Sequence, residues 1–174
     1  MNLCQSWPIC KINVPSDGHC LFHAITMAIY KSYQDADAPG RLHMVIQLRH
    51  QLADQLENYY STMNNGNMIE LAASVPEFSL NEMQAELKST ASIGFGYFEF
   101  ICNQINKDLI ILEKDRIYWS DEVPLMIKGR TTIVLYYKKN HYTLVGLKED
   151  THFKSTHPWI VFLKKKLAEQ IKKL

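Results

Sequence analysis

This sequence lacks any apolar run approaching the roughly 20 residues that a helix needs to cross a bilayer. Residues 1–10 also lack the basic start and the apolar block of a secretory signal. Both absences argue against a protein that is exported or embedded in a membrane. We therefore expect an intracellular, cytoplasmic protein.

Disulfide spacing, charge bias and internal repeats are absent as well. The four cysteines (Cys4, Cys10, Cys20 and Cys102) follow no framework pattern, which is typical of free thiols in a reducing compartment. With 19 Lys and Arg against 18 Asp and Glu, the net charge is +1, so the chain lacks the basic footprint of a nucleic-acid-binding protein. Its 174 residues are enough for one domain with a proper core.

The most informative stretch is Asp17-Gly18-His19-Cys20-Leu21-Phe22-His23-Ala24. It begins with a turn signal, Asp-Gly, and apolar residues then recur at helical spacing over residues 21–30. Cys20 is therefore predicted at a helix N-terminus, where free backbone N–H groups and the helix dipole favour a thiolate. A thiolate is the nucleophilic form of cysteine, so Cys20 is a candidate catalytic residue. The alternative is a small, buried, hydrophobic cysteine.

Hydrophobic periodicity predicts the other elements. Stripes at helical spacing indicate helices, and alternating or β-branched runs indicate strands. Ser79 is predicted to cap a helix, with Glu82 completing a capping box. We predict strands over residues 9–14, 109–112, 131–137 and 141–147, helices over 21–32, 41–63, 80–89, 97–105 and 159–174, and a loop over 35–40.

His141 provides Cys20 with a candidate partner far along the chain. It is predicted at the head of a strand, after a turn at 138–140 that pairs two strands in a hairpin. A papain-like site needs such a pair, because the imidazole takes the proton of the thiol and later protonates the leaving amine. The turn before the cysteine supplies N–H groups for an oxyanion, and Gly18 allows that backbone to approach closely.

These motifs together resemble the ovarian tumour (OTU) family of cysteine proteases. The Asp-Gly-x-Cys-Leu-Phe block at 17–22 is followed, in the family's order, by a long helix after a loop, a short apolar strand and Asn140-His141-Tyr142. The resemblance covers residues 9–147 and implies an α+β, papain-like fold. In that fold, helices flank a small central, mostly antiparallel sheet. The small chain looks more like a viral or other pathogen-encoded member, which would act in the host cytoplasm and modulate host immunity.

The resemblance implies a deubiquitinase, which hydrolyses isopeptide or peptide bonds after the Gly-Gly end of ubiquitin or of a ubiquitin-like modifier. By position, Cys20 is the nucleophile, His141 is the general base and acid, and Asp17 matches an aspartate often counted with them. The backbone of residues 17–20 would form the oxyanion hole, and Tyr142 would narrow the substrate channel. No metal or organic cofactor is implied. We expect a monomer whose partner is ubiquitin or polyubiquitin.

One position departs from the family's pattern. Many members carry Asp or Asn two residues after the histidine, where it orients the imidazole, and this chain has Thr143 there. Residues 141 and 143 share one face of a strand, whereas Asn140 faces the other side. Asp17 and Asn13 are further candidates for the orienting role. We expect Asp17 to matter more than Thr143.

Other interpretations stay open. His19, Cys20 and His23 suggest a metal site, but a structural zinc site needs four ligands and no second cluster follows. Aromatic residues beside lysines suggest nucleic-acid stacking, but they alternate as strand and core positions do. A non-catalytic, ubiquitin-binding OTU-like module and a protease that processes its own polyprotein are the remaining rivals. The intact Cys20 and His141 argue against the module.

The chain is predicted to divide into a protease domain over residues 1–150 and a C-terminal extension over 151–174. The extension ends in a basic amphipathic helix, and its apolar face predicts docking on the domain. Attachment to a membrane surface or to a partner protein is the alternative. The apolar face consists of Ile160, Leu163, Leu167, Ile171 and Leu174.

Overall fold

The structure is a computed structural model, and it describes residues 7–114, 116–119 and 129–172, apart from the side chains of Phe95 and Trp119. Cys4 and Leu174, which were considered above, lie outside the described residues. The described helices are α1 (Cys20–Ile29), α2 (Lys31–Asp35), α3 (Ala38–Tyr60), α4 (Met68–Ser74), α5 (Leu80–Lys88), α6 (Phe98–Ile105) and α7 (Pro158–Ile171). The described strands are β1 (Ile9–Ile12), β2 (Lys107–Glu113), β3 (Arg116–Trp119), β4 (Thr131–Lys138), β5 (His141–Leu147) and β6 (His152–Lys154).

The strands form a sheet in the order β1-β5-β4-β2-β3, and β6 pairs with the start of β4 in line with β5. Among the described strands, only β2 and β4 run parallel to each other, so the predicted α+β class with a mostly antiparallel sheet is confirmed. The predicted hairpin joins β4 to β5 through Lys139 and Asn140, which both adopt positive φ angles. A two-residue turn of this kind matches the twist of the paired strands and aligns Lys138 with His141.

Both faces of the sheet are covered by helices, which explains the wholly apolar run in β2. Successive strand residues point to opposite faces, so Leu109 and Ile111 pack into one core while Ile110 and Leu112 pack into another. The first core lies under helices that include α1, α3, α5 and α6, and the second lies under α7. A central strand covered on both sides has no need of polar residues.

Helix α7 packs on the second core through four residues with at most 7% exposure, Trp159, Ile160, Leu163 and Leu167. It also satisfies the backbone of the edge strand β3. The Gln170 side chain accepts from the N–H of Ile117 at 3.0 Å and donates to its carbonyl oxygen at 3.1 Å. None of the helices in the described ranges is both long and apolar enough to cross a bilayer.

Several predicted boundaries were wrong for local reasons. The loop predicted over 35–40 ends early, because α3 begins at Ala38 with Asp37 as its N-cap and Pro39 in its first turn. Asp37 Oδ1 accepts from the Gly40 N–H at 2.9 Å. The helix predicted over 21–32 stops at Ile29, since Tyr30 is extended before α2 begins.

Two short edge strands were missed, and one predicted helix cap was found. No strand was predicted at β3 or at β6, because three or four residues are too few to show a periodic pattern. The predicted cap of α5 is confirmed, since the Ser79 hydroxyl accepts from the Glu82 N–H at 3.4 Å.

We expect Leu163→Ala to lower the free energy of unfolding by about 2–5 kcal/mol, because a fully buried leucine is lost together with its packing. Val161 lies on the same helix but is 51% exposed, so Val161→Ala should change stability by less than about 0.5 kcal/mol. Urea unfolding of both variants measures the difference. Equal, small effects would mean that α7 does not stabilise the sheet.

Candidate active site

Cys20 is the first residue of α1, and the structure brings it against the head of β5. The Tyr142 N–H donates to Cys20 Sγ at 3.5 Å, across 122 residues of sequence. The thiol is 3% exposed, and α1 packs along β5 through its apolar face. His141 precedes Tyr142 at the hairpin, so the thiol and the start of the histidine strand meet.

Gly18 sits where the loop before Cys20 touches the loop after α5. Its φ angle is +87°, and a Cβ added there would lie 2.0 Å from the carbonyl oxygen of Thr90. Both the backbone conformation and the close contact therefore require glycine. The Asp-Gly turn in the sequence has its physical explanation in this contact.

Asp17 braces the loop that carries Cys20. Its Oδ1 accepts from the His19 N–H at 3.0 Å, and its Oδ2 accepts from His23 Nε2 at 3.0 Å. His23 is buried, and its Nδ1 lies 2.5 Å from the hydroxyl of buried Tyr33. Burial alone would raise the pKa of Asp17, but the hydrogen bonds and charges from His19 and His23 hold that pKa below its ordinary value. Asp17 therefore stays ionised at neutral pH.

The hydrogen bond from the His19 N–H to Asp17 removes one candidate donor from the predicted oxyanion hole. The His19 N–H already points to Asp17, so it is engaged within the loop. The N–H groups of Asp17, Gly18 and Cys20 are the remaining donors among the predicted set. Cys20 opens the helix, and the first N–H groups of a helix have no intrahelical acceptor.

One nitrogen of the His141 imidazole, Nδ1, is buried and has no hydrogen-bond partner among the described residues. The Thr143 hydroxyl, two residues along the strand, therefore does not bind this nitrogen. Both carboxylate oxygens of Asp17 already accept hydrogen bonds from His19 and His23. Asn140 accepts from the Tyr137 hydroxyl at 2.8 Å, and Asn13 is exposed just beyond β1. The third catalytic group thus stays a prediction.

A cleft of about 310 Å³ is lined by Tyr142, the residue whose backbone N–H contacts the Cys20 thiol. Tyr142, the predicted channel residue, lines this cleft, and its ring packs 4.8 Å from that of Tyr137 and 6.2 Å from that of Phe98. Burial raises the pKa of Tyr142, so its hydroxyl stays protonated. The lining residues are Ser92, Ile93, Gly94, Tyr137, Asn140 and Tyr142.

Sequence reasoning missed Arg49 and the bracing role of His23. Arg49 is 1% exposed and donates from Nη1 to His19 Nδ1 at 3.2 Å. Burial, and then the charge of Arg49, lower the pKa of His19. A sequence signal for Arg49 existed, because it lies four residues after Val45 and three before Leu52 on the predicted core face of the helix.

The histidines beside Cys20 are bound to protein groups. His19 faces Arg49, and His23 lies between Asp17 and Tyr33. In the part of the chain that the structure describes, no group of three or more His, Cys, Asp or Glu side chains could hold a metal ion.

Comparison with known proteins identifies the fold. No protein-family model and no curated protein match this sequence. Solved structures do match, among them an OTU domain in complex with ubiquitin, at 16% identity and a TM-score of 0.61, covering 93% of this chain and 88% of that one. The OTU domain protease of Taggert virus matches at 12% identity and a TM-score of 0.58, covering 84% of each chain. An OTU deubiquitinase of Wolbachia pipientis matches at 12% identity and a TM-score of 0.54, covering 94% of this chain and 96% of that one.

The chain therefore has the OTU fold, as the sequence motifs predicted. At these identities the likeness concerns the arrangement of helices and strands. Chemistry has to be argued from the residues of this chain.

We expect stability to fall as the pH decreases below about 6.5, the ordinary pKa of histidine. Because folding lowers the pKa of His19, the unfolded chain binds that proton more tightly, and the contribution of His19 is lost as the pH falls through its folded-state value. Urea unfolding between about pH 7.5 and about pH 5.5 should therefore give a shallower dependence for His19→Asn than for wild type. Identical slopes would contradict this account of His19.

Proposed function

We propose that this protein is a cysteine-dependent deubiquitinase that cleaves after the Gly-Gly end of ubiquitin. The observation that carries the proposal is the contact between the Tyr142 N–H and Cys20 Sγ at 3.5 Å. That contact holds the thiol at the start of a helix against the strand that His141 opens. The adjoining cleft, lined partly by Gly94, suits a substrate tail without side chains.

In the proposed reaction, the Cys20 thiolate attacks the carbonyl carbon of the last glycine of ubiquitin. The oxyanion that forms accepts hydrogen bonds from the remaining backbone N–H groups of this loop, those of Asp17, Gly18 and Cys20. The C–N bond breaks as His141 protonates the leaving amine, and a thioester between ubiquitin and Cys20 is formed. Water then attacks the thioester, His141 takes its proton, and the C–S bond breaks to release the ubiquitin carboxylate and the thiolate.

We assign Asp17 to the nucleophile loop rather than to the imidazole. Both of its oxygens bind groups of the α1 region, the His19 N–H and His23 Nε2. Holding the His19 N–H inward orients the neighbouring peptide groups, and this favours outward N–H groups at Gly18 and Cys20. Asp17 would thus support oxyanion stabilisation indirectly.

The setting proposed for this activity is a reducing intracellular compartment such as the cytoplasm. Cys10, Cys20 and Cys102 are free thiols, and unpaired cysteines are typical of proteins in reducing compartments. Ubiquitin-like modifiers are proposed as further substrates, to be tested with the same assay. Action of a pathogen-encoded enzyme in a host cell is a proposal from the sequence resemblance.

We expect Cys20→Ala to abolish cleavage of diubiquitin and labelling by a ubiquitin probe with a C-terminal electrophile, because the covalent nucleophile is removed. His141→Ala should be nearly as severe, since no other described group stands ready to protonate the amine. Cys10→Ala is the control, because this half-buried thiol lies on β1 and should leave labelling intact. Wild type that binds ubiquitin without labelling or turnover would instead indicate a non-catalytic ubiquitin-binding module.

We expect Asp17→Ala to lower turnover by about 10²-fold or more, the scale on which positioned catalytic groups and oxyanion donors act. Thr143→Ala should cost about tenfold at most, because this hydroxyl does not bind the imidazole. Thr143→Asp should raise activity by offering a carboxylate to the His141 imidazole. Steady-state kinetics measure which variant loses more turnover. A large loss in Thr143→Ala together with a small loss in Asp17→Ala would reverse the two assignments.

A further inference from the structure

Arg49 is a buried charge that has no part in the reaction described above. It lies on α3 among the residues that this helix buries, and it is 1% exposed. Its Nε donates to the carbonyl oxygen of Leu87 at 2.7 Å, and its Nη2 donates to those of Glu86 at 2.8 Å and Ala91 at 3.0 Å. The guanidinium therefore holds the C-terminal end of α5 and the loop that follows it.

The same guanidinium also holds the loop that carries the nucleophile. Its Nη1 donates to His19 Nδ1 at 3.2 Å, and its planar group lies 4.7 Å from the centre of the Phe22 ring. His19 is the N-cap of α1, and its carbonyl oxygen accepts the first helical hydrogen bond from the His23 N–H at 2.9 Å. Arg49 thus contacts the residues on both sides of Cys20.

The two loops that Arg49 binds also contact each other and reach the cleft. Gly18 fits against the carbonyl oxygen of Thr90 with no space for a side chain. Two residues further on, the second loop forms one wall of the cleft with Ser92, Ile93 and Gly94, opposite the β4–β5 hairpin. Ile93 anchors this wall, since it is 2% exposed in the first core.

We propose that Arg49 is a positioning residue that sets the distance between the nucleophile loop (residues 17–20) and the cleft wall (residues 89–94). The expected effect of Arg49 on turnover rests on the proposed function. The placement of the two loops by Arg49 does not depend on that function. Arginine suits this positioning role because its planar guanidinium carries five N–H donors at fixed angles. In Arg49 these donors bind four acceptors on two segments of the chain.

The variant Arg49→Lys distinguishes the effect of the guanidinium's donor geometry from the effect of its positive charge. Burial lowers the pKa of Arg49 to about 10, so the side chain is charged at neutral pH, and Cys20 lies within range of that charge. Arg49→Lys keeps a positive charge near Cys20, but one ammonium group cannot reach all four acceptors. If the charge alone mattered, lysine would replace arginine without loss.

The matched control is Arg130, another largely buried arginine with side-chain partners. It donates to Asn106 Oδ1 and Asn103 Oδ1, both at 3.1 Å, and lies 4.0 Å from Asp108 at the start of β2. None of these partners belongs to the two loops or to the cleft. Arg130→Lys therefore reports the general cost of replacing a partly buried guanidinium.

The experiment compares wild type, Arg49→Lys and Arg130→Lys by amide hydrogen exchange and by hydrolysis of ubiquitin carrying a C-terminal aminocoumarin. For Arg49→Lys we expect faster exchange confined to residues 17–20 and 89–94. We also expect kcat to fall by about 10²-fold with KM changed by less than about threefold, because a displaced cleft wall spoils the approach of the reacting bond. Arg130→Lys should change neither the exchange of these loops nor kcat.

Arg49→Lys with wild-type exchange and wild-type kcat would overturn the proposal, and so would a loss of protection spread evenly over the whole fold. Wild type without any turnover of the ubiquitin substrate would instead overturn the proposed function. In that case the exchange comparison still decides whether Arg49 holds the two loops together.

Discussion

The contact between the start of α1 and the start of β5 is the constraint on which the rest of the site depends. Cys20 Sγ accepts the N–H of Tyr142, and this is possible only because α1 lies along β5 in the first core. The sheet is packed on both sides here, since helices cover both of its faces. A thiol at a helix terminus and a histidine at a strand terminus are thereby brought together on elements with little freedom to move.

The loop before Cys20 is held by buried polar groups rather than by apolar packing. Asp17 accepts hydrogen bonds from the His19 N–H and from His23. His23 also forms a hydrogen bond with Tyr33, and Arg49 donates to the His19 ring. Such networks are costly when incomplete, because each buried polar atom that loses its partner keeps the cost of leaving water. The network therefore favours one loop conformation over its alternatives, which suits a loop that must present N–H groups in a defined direction.

The histidine side of the site is less completely supported than the cysteine side. His141 Nδ1 is buried without a partner among the described residues, and the carboxylate nearest in sequence to the nucleophile is already occupied. A papain-like imidazole works best when a further acceptor orients it. Thr143 occupies the strand position of that acceptor but does not bind the imidazole, so this position separates the chain from the common OTU pattern.

The sequence alone determined the main elements, the helix start at Cys20, the strand start at His141 and the turn at Gly18, because periodicity, turn chemistry and helix termini are local properties of the chain. The apolar residues 109–112 were predicted as a strand, and the structure covers both faces of that strand. Tertiary structure decided which side chains meet. The bonds of Asp17 to His23 and of Arg49 to Ala91 join elements whose relative placement no local pattern encodes, and the edge strands form only where a neighbour supplies their hydrogen bonds.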